Sequence, residues 1–421
     1  MRNLQANLQM KFLLSLILLL NLSVSSCKKD DKPDTTEFKV TVLEPLPVEK
    51  TRTMQLFAHY MPWFEDKTTS DNGQWGWHWT MNNQNPDVMD ANGKRQIASH
   101  YYPLIGPYAS GDMDLIEYHL LLMKYSGIDG VLIDWYGKSD VFDYGSNRRN
   151  TEALIEKLDK VGLGFAIVYE DGTIPNVMAQ TGSAEALSLA REDMRYIELN
   201  YFSKKSYIKV NGKPLLMVFG PRYFQQASDW EFIISIFNNK PCFMPLWGNS
   251  SATGEASSGE FIWVDMVDID NKYATAANHD AFVGGAWPAF DDFYLEGGAG
   301  NNLFTIDDED GALWQELLQK AAGYNMDYLQ LITWNDFGEG TIIEPTQEFQ
   351  YRYLEDLQDF AGLNYTKNEL EKIKGQFELR KSFKDDKSSQ KVLDQAFYYW
   401  VSLQNNKAIH LLDSLSAIKN Y

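Results

Sequence analysis

The chain has 421 residues, of which 44% are hydrophobic and 14% aromatic; this excludes a disordered protein and provides for a large packed core. Its 38 basic residues face 58 acidic ones, a formal net charge of −20. That balance argues against nucleic acid and other polyanions, which need clustered Lys and Arg, and fits a neutral or cationic ligand better.

Residues 1–26 read as a signal peptide: Arg2 and Lys11 precede the apolar run "FLLSLILLLNLSV", which is short and N-terminal for a membrane span. The run ends at Val24-Ser25-Ser26-Cys27, which resembles a bacterial lipobox, so Cys27 is expected to be lipidated and to start the mature chain. Residues 27–50, opening on "KKDDKPDTTE", read as a solvated tether. Losing Arg2 and Lys11 with the leader leaves 36 basic residues against 58 acidic, a net charge of −22. Cys242 is then the one other cysteine, so no intrachain disulfide can form, and its apolar setting "PCFMPLW" predicts a buried structural thiol.

From residue 51 to 365, short runs rich in β-branched and aromatic residues alternate with helical stretches, the signature of repeated β-α units around a parallel sheet. Eight runs are predicted as strands, at 55–63, 130–137, 164–171, 213–221, 242–249, 261–269, 281–290 and 328–336. The sixth, "FIWVDMVDI", is the weakest, with acids where a buried strand wants apolar residues. Helices are predicted at 113–127, 150–162, 186–202 and 313–324, several ending at glycine. Eight such units predict a (β/α)8 TIM barrel. A doubly wound sheet would alternate similarly, but no glycine-rich phosphate loop follows the first run, which ends in "HYMPWF". Residues 366–421 are predicted as a helical extension of two or three helices, interrupted at "KDDKSS" and packed on the barrel.

In such a barrel the reactive groups stand at the carboxyl ends of the strands. Those ends supply His59, Tyr60 and Trp63; Asp134, Trp135 and Tyr136; Tyr169, Glu170 and Asp171; Trp247 and Asn249; Trp287; and Trp334, Asn335, Asp336 and Glu339. Aromatic faces beside hydrogen-bonding acids and amides are what a carbohydrate cleft needs. Asp336 and Glu339 are the predicted catalytic pair. The run "LQLITW" before them is apolar enough to be buried, so Asp336 sits where a charge needs partners. The turn Phe337-Gly338-Glu339-Gly340-Thr341 can return the second acid over the same opening. Glycoside cleavage commonly uses one carboxylic acid to protonate the leaving oxygen and a second as base or nucleophile. Which residue takes which role stays open at this level. Tyr60, Trp63, Asp134, Trp135, Tyr136, Glu170, Trp247, Trp287, Trp334 and Asn335 are predicted to bind substrate, with catalysis an equal alternative for Glu170. The sequence has no HExxH, no Cys cluster and no GxSxG, so no metal or cofactor is predicted; "DMVDIDN" at 265–271 has calcium-loop spacing without the glycine or the closing glutamate.

The stretch "ITWNDFGEGTIIEPT" resembles the eighth-strand motif of glycoside hydrolase family 99, the endo-α-mannosidases, which reads like "ITSFNEWHEGTQIE". It also resembles that of family 71, the α-1,3-glucanases, which reads like "TWNDYGES". "AHYMPWF" is similar to the family 99 first strand "YYPWYG", and residues 100–137 are similar to the stretch leading into its "SWY" strand. The resemblance runs from about residue 54 to 346 and implies a TIM barrel cutting α-linked glycans inside the chain. Residue by residue, the two family 99 glutamates fall on Asp336 and Glu339, as do the family 71 aspartate and glutamate. Asp for the first glutamate and Phe-Gly for Trp-His depart from family 99, leaving open a retaining route through an anhydro sugar and an inverting one on water. The expectation is therefore an endo-acting glycoside hydrolase of an oligo- or polysaccharide, monomeric, held in the cell envelope, outer membrane included, by its lipid anchor alone. The alternative is a glycan-binding lipoprotein of the same fold without turnover; a sugar-transferring enzyme fits the lipobox poorly.

Overall fold

The computed structural model describes residues 38–419; the signal peptide and Cys27 lie outside the described residues. The described residues divide into two compact units, Leu46–Ile373 and a second that joins residues 38–45 to residues 374–419.

The larger unit is built on eight strands: β1 Gln55–Tyr60, β2 Gly130–Trp135, β3 Gly164–Tyr169, β4 Lys213–Val218, β5 Cys242–Pro245, β6 Gly259–Phe261, β7 Ala281–Ala286 and β8 Tyr328–Leu331. All are parallel, and each ladder joins neighbours in the chain, except that β1 also pairs with β8. A doubly wound sheet does not order its strands in this way. The sheet curls on itself in a TIM-barrel-like fold. Between β5 and β6 the pairing narrows to a parallel bridge at Leu246 and Phe261, with Ser258 N–H donating to Phe243 O and Trp247 N–H to Phe261 O, each at 2.8 Å. The strands are continuous apolar runs because helices cover them; Val131, Leu132 and Ile133 of β2 are wholly buried.

Every strand stops short of its predicted end. Tyr60, Asp134, Trp135 and Tyr169 stay within their strands, whereas Trp63, Tyr136, Glu170, Asp171, Trp247, Trp287, Trp334, Asp336 and Glu339 lie in the loops that follow, and the sixth strand pairs over Gly259–Phe261 alone. Helices return the chain at α1 Met113–Tyr125, α2 Tyr144–Val161, α3 Ala186–Asn200, α4 Ala227–Ile234, α5 Ala312–Gly323 and α6 Arg352–Ala361. α1 starts at an Asp112 cap whose side chain accepts from Asp114 N–H. It is buried on all sides from Leu115 to Tyr125, and its two buried charges are partnered. Lys157 pairs with Glu117 at 2.7 Å, and Lys124 Nζ donates to Leu46 O and Val161 O. α2 starts earlier than predicted and ends as predicted: Gly162 takes the left-handed conformation at φ 82° and its N–H caps Leu158 O.

The tail holds three helices, Lys367–Ser382, Lys387–Val401 and Asn405–Lys419. The predicted interruption at "KDDKSS" is the start of the second, where Asp386 accepts from Ser388 N–H as its cap. Within the smaller unit Gln395 holds Thr41 by both backbone groups, at 2.6 and 3.2 Å. No helix among the described residues is long and apolar enough to cross a membrane. Cys242 is buried at the head of β5, and burial pushes its thiol up to about 11, as a structural thiol requires.

Candidate active site

The segment after β8 leaves the sheet and folds back as a narrow loop. Ile343 N–H donates to Thr333 O and Glu344 N–H to Trp334 O, while Gly340 N–H donates to Asp336 O at 3.0 Å. Gly340 sits at φ 70°, and a Cβ there would lie 2.7 Å from Asp291 O, so both the conformation and the space call for glycine. The loop rests on a second segment: Asp291 N–H donates to Glu339 O and Phe293 N–H to Gly338 O, each at 2.9 Å. Phe337 at the loop's turn is buried against Phe64, Trp79 and Tyr108.

The loop brings Asp336 and Glu339 to one cavity of about 220 Å³ at the carboxyl ends of the strands. Asp336 N–H donates to Thr333 Oγ1 at 2.7 Å, and Asp336 Oδ1 accepts the Glu339 N–H at 3.0 Å. Tyr294 Oη donates to Glu339 Oε1 at 3.2 Å, and Glu339 Oε2 is buried without a partner. Burial pushes the Asp336 carboxyl up to about 7, moderated by the backbone N–H groups of Glu339 and Gly338 that favour its charged form. Burial raises Glu339 well above the carboxylate range, and the charge of Asp336 adds to this.

Two further carboxyls face the same cavity. Asp134, the penultimate residue of β2, and Glu170, directly after β3, hydrogen-bond to each other, and burial raises both, Glu170 to about 7. Trp63 and Tyr136 also line it, Trp63 stacked on His78 at 4.1 Å between centroids. Of the predicted residues, then, Trp63, Asp134, Tyr136, Glu170, Asp336 and Glu339 come together.

The others lie outside the cavity lining. Trp135 points to the helix side, packed against Tyr169, Tyr196 and Tyr201. Tyr60 and Trp334 are buried around His119, with Tyr60 Oη 3.1 Å from His119 Nδ1. Asn335 is a brace: its Oδ1 accepts from Met61 N–H, and its Nδ2 donates to Met61 O and to Tyr108 Oη. Tyr108 Oη donates in turn to Glu344 at 2.6 Å. Trp247 and Trp287 flank the buried ammonium of Lys272, at 5.7 and 5.4 Å. Lys272 also pairs with Asp265 at 2.7 Å, so the "DMVDIDN" segment is organised around a lysine. No group of three or more His, Cys, Asp or Glu among the described residues could hold a metal ion.

His59, Trp77, Met81, Phe219, Trp263 and Tyr294 line the cavity without having been predicted to bind. His59 and Trp263 stood in strand runs read from the sequence. Tyr294 gave no signal, because it comes from a loop after β7 whose approach to Glu339 depends on the main-chain bonds above. A groove of about 940 Å³ shares Trp77, His78, Tyr136 and Glu170 with the cavity and continues past Trp75, Phe142 and Tyr144.

The sequence model of glycosyl hydrolase family 99 matches residues 52–243, a span that stops before the acid loop. Glycoprotein endo-alpha-1,2-mannosidase-like proteins of Danio rerio and Mus musculus are each 21% identical to it over 59% of this chain, covering 60% and 58% of their own lengths. The chain thus spans about three fifths of the length of these curated relatives. Among solved structures, the GH99 endo-alpha-mannosidase from Bacteroides thetaiotaomicron is 19% identical with a TM-score of 0.55, covering 76% of this chain and 98% of that one. A glycoside hydrolase-like protein is 12% identical with a TM-score of 0.53, covering 76% and 97%. At these identities the structural likeness is one of fold.

Proposed function

We propose that this chain is a glycoside hydrolase family 99-like protein and that it hydrolyses an α-linked glycan with Asp336 and Glu339. The observation that carries the reading is the unequal carboxyl pair on one cavity wall. Asp336 is served by backbone N–H groups that favour its anion, whereas Glu339 has a tyrosine hydroxyl, a nearby negative charge and an unpartnered oxygen. Such a pair holds the second acid protonated while the first ionises. Glu339 therefore gives its proton to the leaving glycosidic oxygen as the bond from C1 breaks. Asp336 removes a proton from the attacking group, a water molecule or a hydroxyl of the sugar itself. The Trp63 and Tyr136 rings take the apolar face of the sugar. The groove running on past Trp75, Phe142 and Tyr144 supports endo action, since a chain can extend beyond the cleaved bond.

The test compares release of reducing ends from α-mannans and α-1,3-glucans by the wild type, Glu339→Gln and Asp336→Asn. Both variants are expected to lose at least about 10²-fold in kcat. An aryl α-glycoside with a good leaving group needs no acid, so it restores turnover to Glu339→Gln and not to Asp336→Asn. Rescue in the opposite variant would reverse the roles. Undiminished binding without release of ends by the wild type would leave a glycan-binding protein.

A further inference from the structure

Acid-base chemistry accounts for two of the four carboxyls in the cavity, and Asp134 and Glu170 remain. Two buried carboxyls this close share a proton, so the pair carries at most one negative charge. Asp134 is only 2% exposed, and its Oδ2 lies on the cavity wall without a partner. A buried charge in that position needs a counterpart.

A second observation comes from His59. Gln330 Nε2 donates to Ile262 O at 3.1 Å, and because a carbonyl can only accept, this fixes the amide with its Oε1 towards His59. Nδ1 of His59, 3.3 Å from that oxygen, is therefore the protonated nitrogen. Nε2 presents a lone pair with no partner, on a ring that is 1% exposed and lines the cavity. Burial keeps the ring neutral, its pKa lowered to about 4. On the wall His59 Nε2 and Asp134 Oδ2 are unpartnered acceptors, while the unpartnered donors are Trp63 Nε1 and, with Glu339 protonated as the acid, its Oε2. No lysine or arginine lines the cavity; the cation that acts on Glu170 is Arg222, over the Phe219 ring at 5.1 Å.

Two buried acceptors without partners, a negative charge with no lysine or arginine on the cavity wall, and aromatic rings form the environment that suits an ammonium group. Resting on the reading of this cavity as a sugar site, we propose that the ring it takes carries a free protonated amine. The substrate class is then an α-linked glycan containing unacetylated hexosamine, with the ammonium held by Asp134, Glu170 and His59. A neutral hexose supplies hydroxyl donors and leaves the charge uncompensated. An N-acetyl group supplies one N–H and no charge.

Calorimetric titration of the full chain at pH 7 tests this, with the methyl α-glycosides of glucosamine, mannosamine and galactosamine, their N-acetyl forms and the neutral parents. At least one amine is expected to bind about tenfold tighter than its neutral parent, and Asp134→Asn to cut that preference below about threefold. Glu170→Gln serves as the second variant should Asp134→Asn fail to fold. Equal affinities, no binding of any amine, or a preference that survives both substitutions would overturn the proposal. Cleavage of α-glycans without preference for the amine sinks this inference alone; an amine preference without cleavage of any α-glycan, aminated ones included, sinks the hydrolase reading alone.

Discussion

Asn335 shows how much one buried amide can hold. It stands beside Asp336, satisfies the N–H and the carbonyl of Met61, and donates to Tyr108 Oη. Asn335→Ala leaves those groups buried and unpaired, at a cost of about 1–3 kcal/mol for each one stranded. We expect a loss of about 3 kcal/mol in urea unfolding, with kcat falling because the acid loop loses its anchor. Unchanged stability would show that water replaces the amide. The same residue marks a limit of reading side chains from sequence. A polar residue at a strand end fits a substrate contact and a brace equally well, and burial decides between them. Trp135 and Trp334 make the same point, since an aromatic residue at a strand end gives no sign of which way it faces.

The acid loop is an element whose shape depends on one position. Gly340→Ala imposes a left-handed conformation on an L residue and drives a methyl into Asp291 O. The expected result is at least about a tenfold fall in kcat, with a loss of about 1–2 kcal/mol in stability. A variant as active and as stable as the wild type would show that the loop yields there. The eight strands were legible because parallel buried strands are unbroken apolar runs, and the count and order of elements follow from that. Their ends were not, since "HYMPW" or "LIDWYG" stays apolar and aromatic after pairing stops, and the stopping point depends on the neighbouring strand. The sixth run misled for the same reason: Gly259 and Glu260 pair, whereas most of "FIWVDMVDI" does not. The acid pair was readable as a local motif. The free nitrogen of His59 and the reach of Tyr294 are products of long-range packing.

The whole molecule stores protons in its interior. Burial raises Asp193, Glu170 and Asp336 to about 7 from ordinary values of 3.8, 4.5 and 3.8. Between those values the folded chain holds protons that the unfolded chain has released, so stability falls as pH rises through about 4 to 7, and the more strongly raised Asp134 and Glu339 carry the fall further. The melting temperature is therefore expected to drop by several degrees from pH 5 to pH 8, and Asp193→Asn to flatten part of that slope. A melting temperature that rises across this interval in calorimetry would refute the assignment. Activity has the opposite acid limb, because Asp336 must ionise to act as base, so the pH favouring turnover lies above the one favouring the fold. The main-chain bonds from Asp291 and Phe293 to the acid loop carry a practical corollary for engineering. Residues 290–294 and 333–344 behave as one cassette, and a chimera whose crossover falls between them would import the acids and leave behind the backbone that aims them.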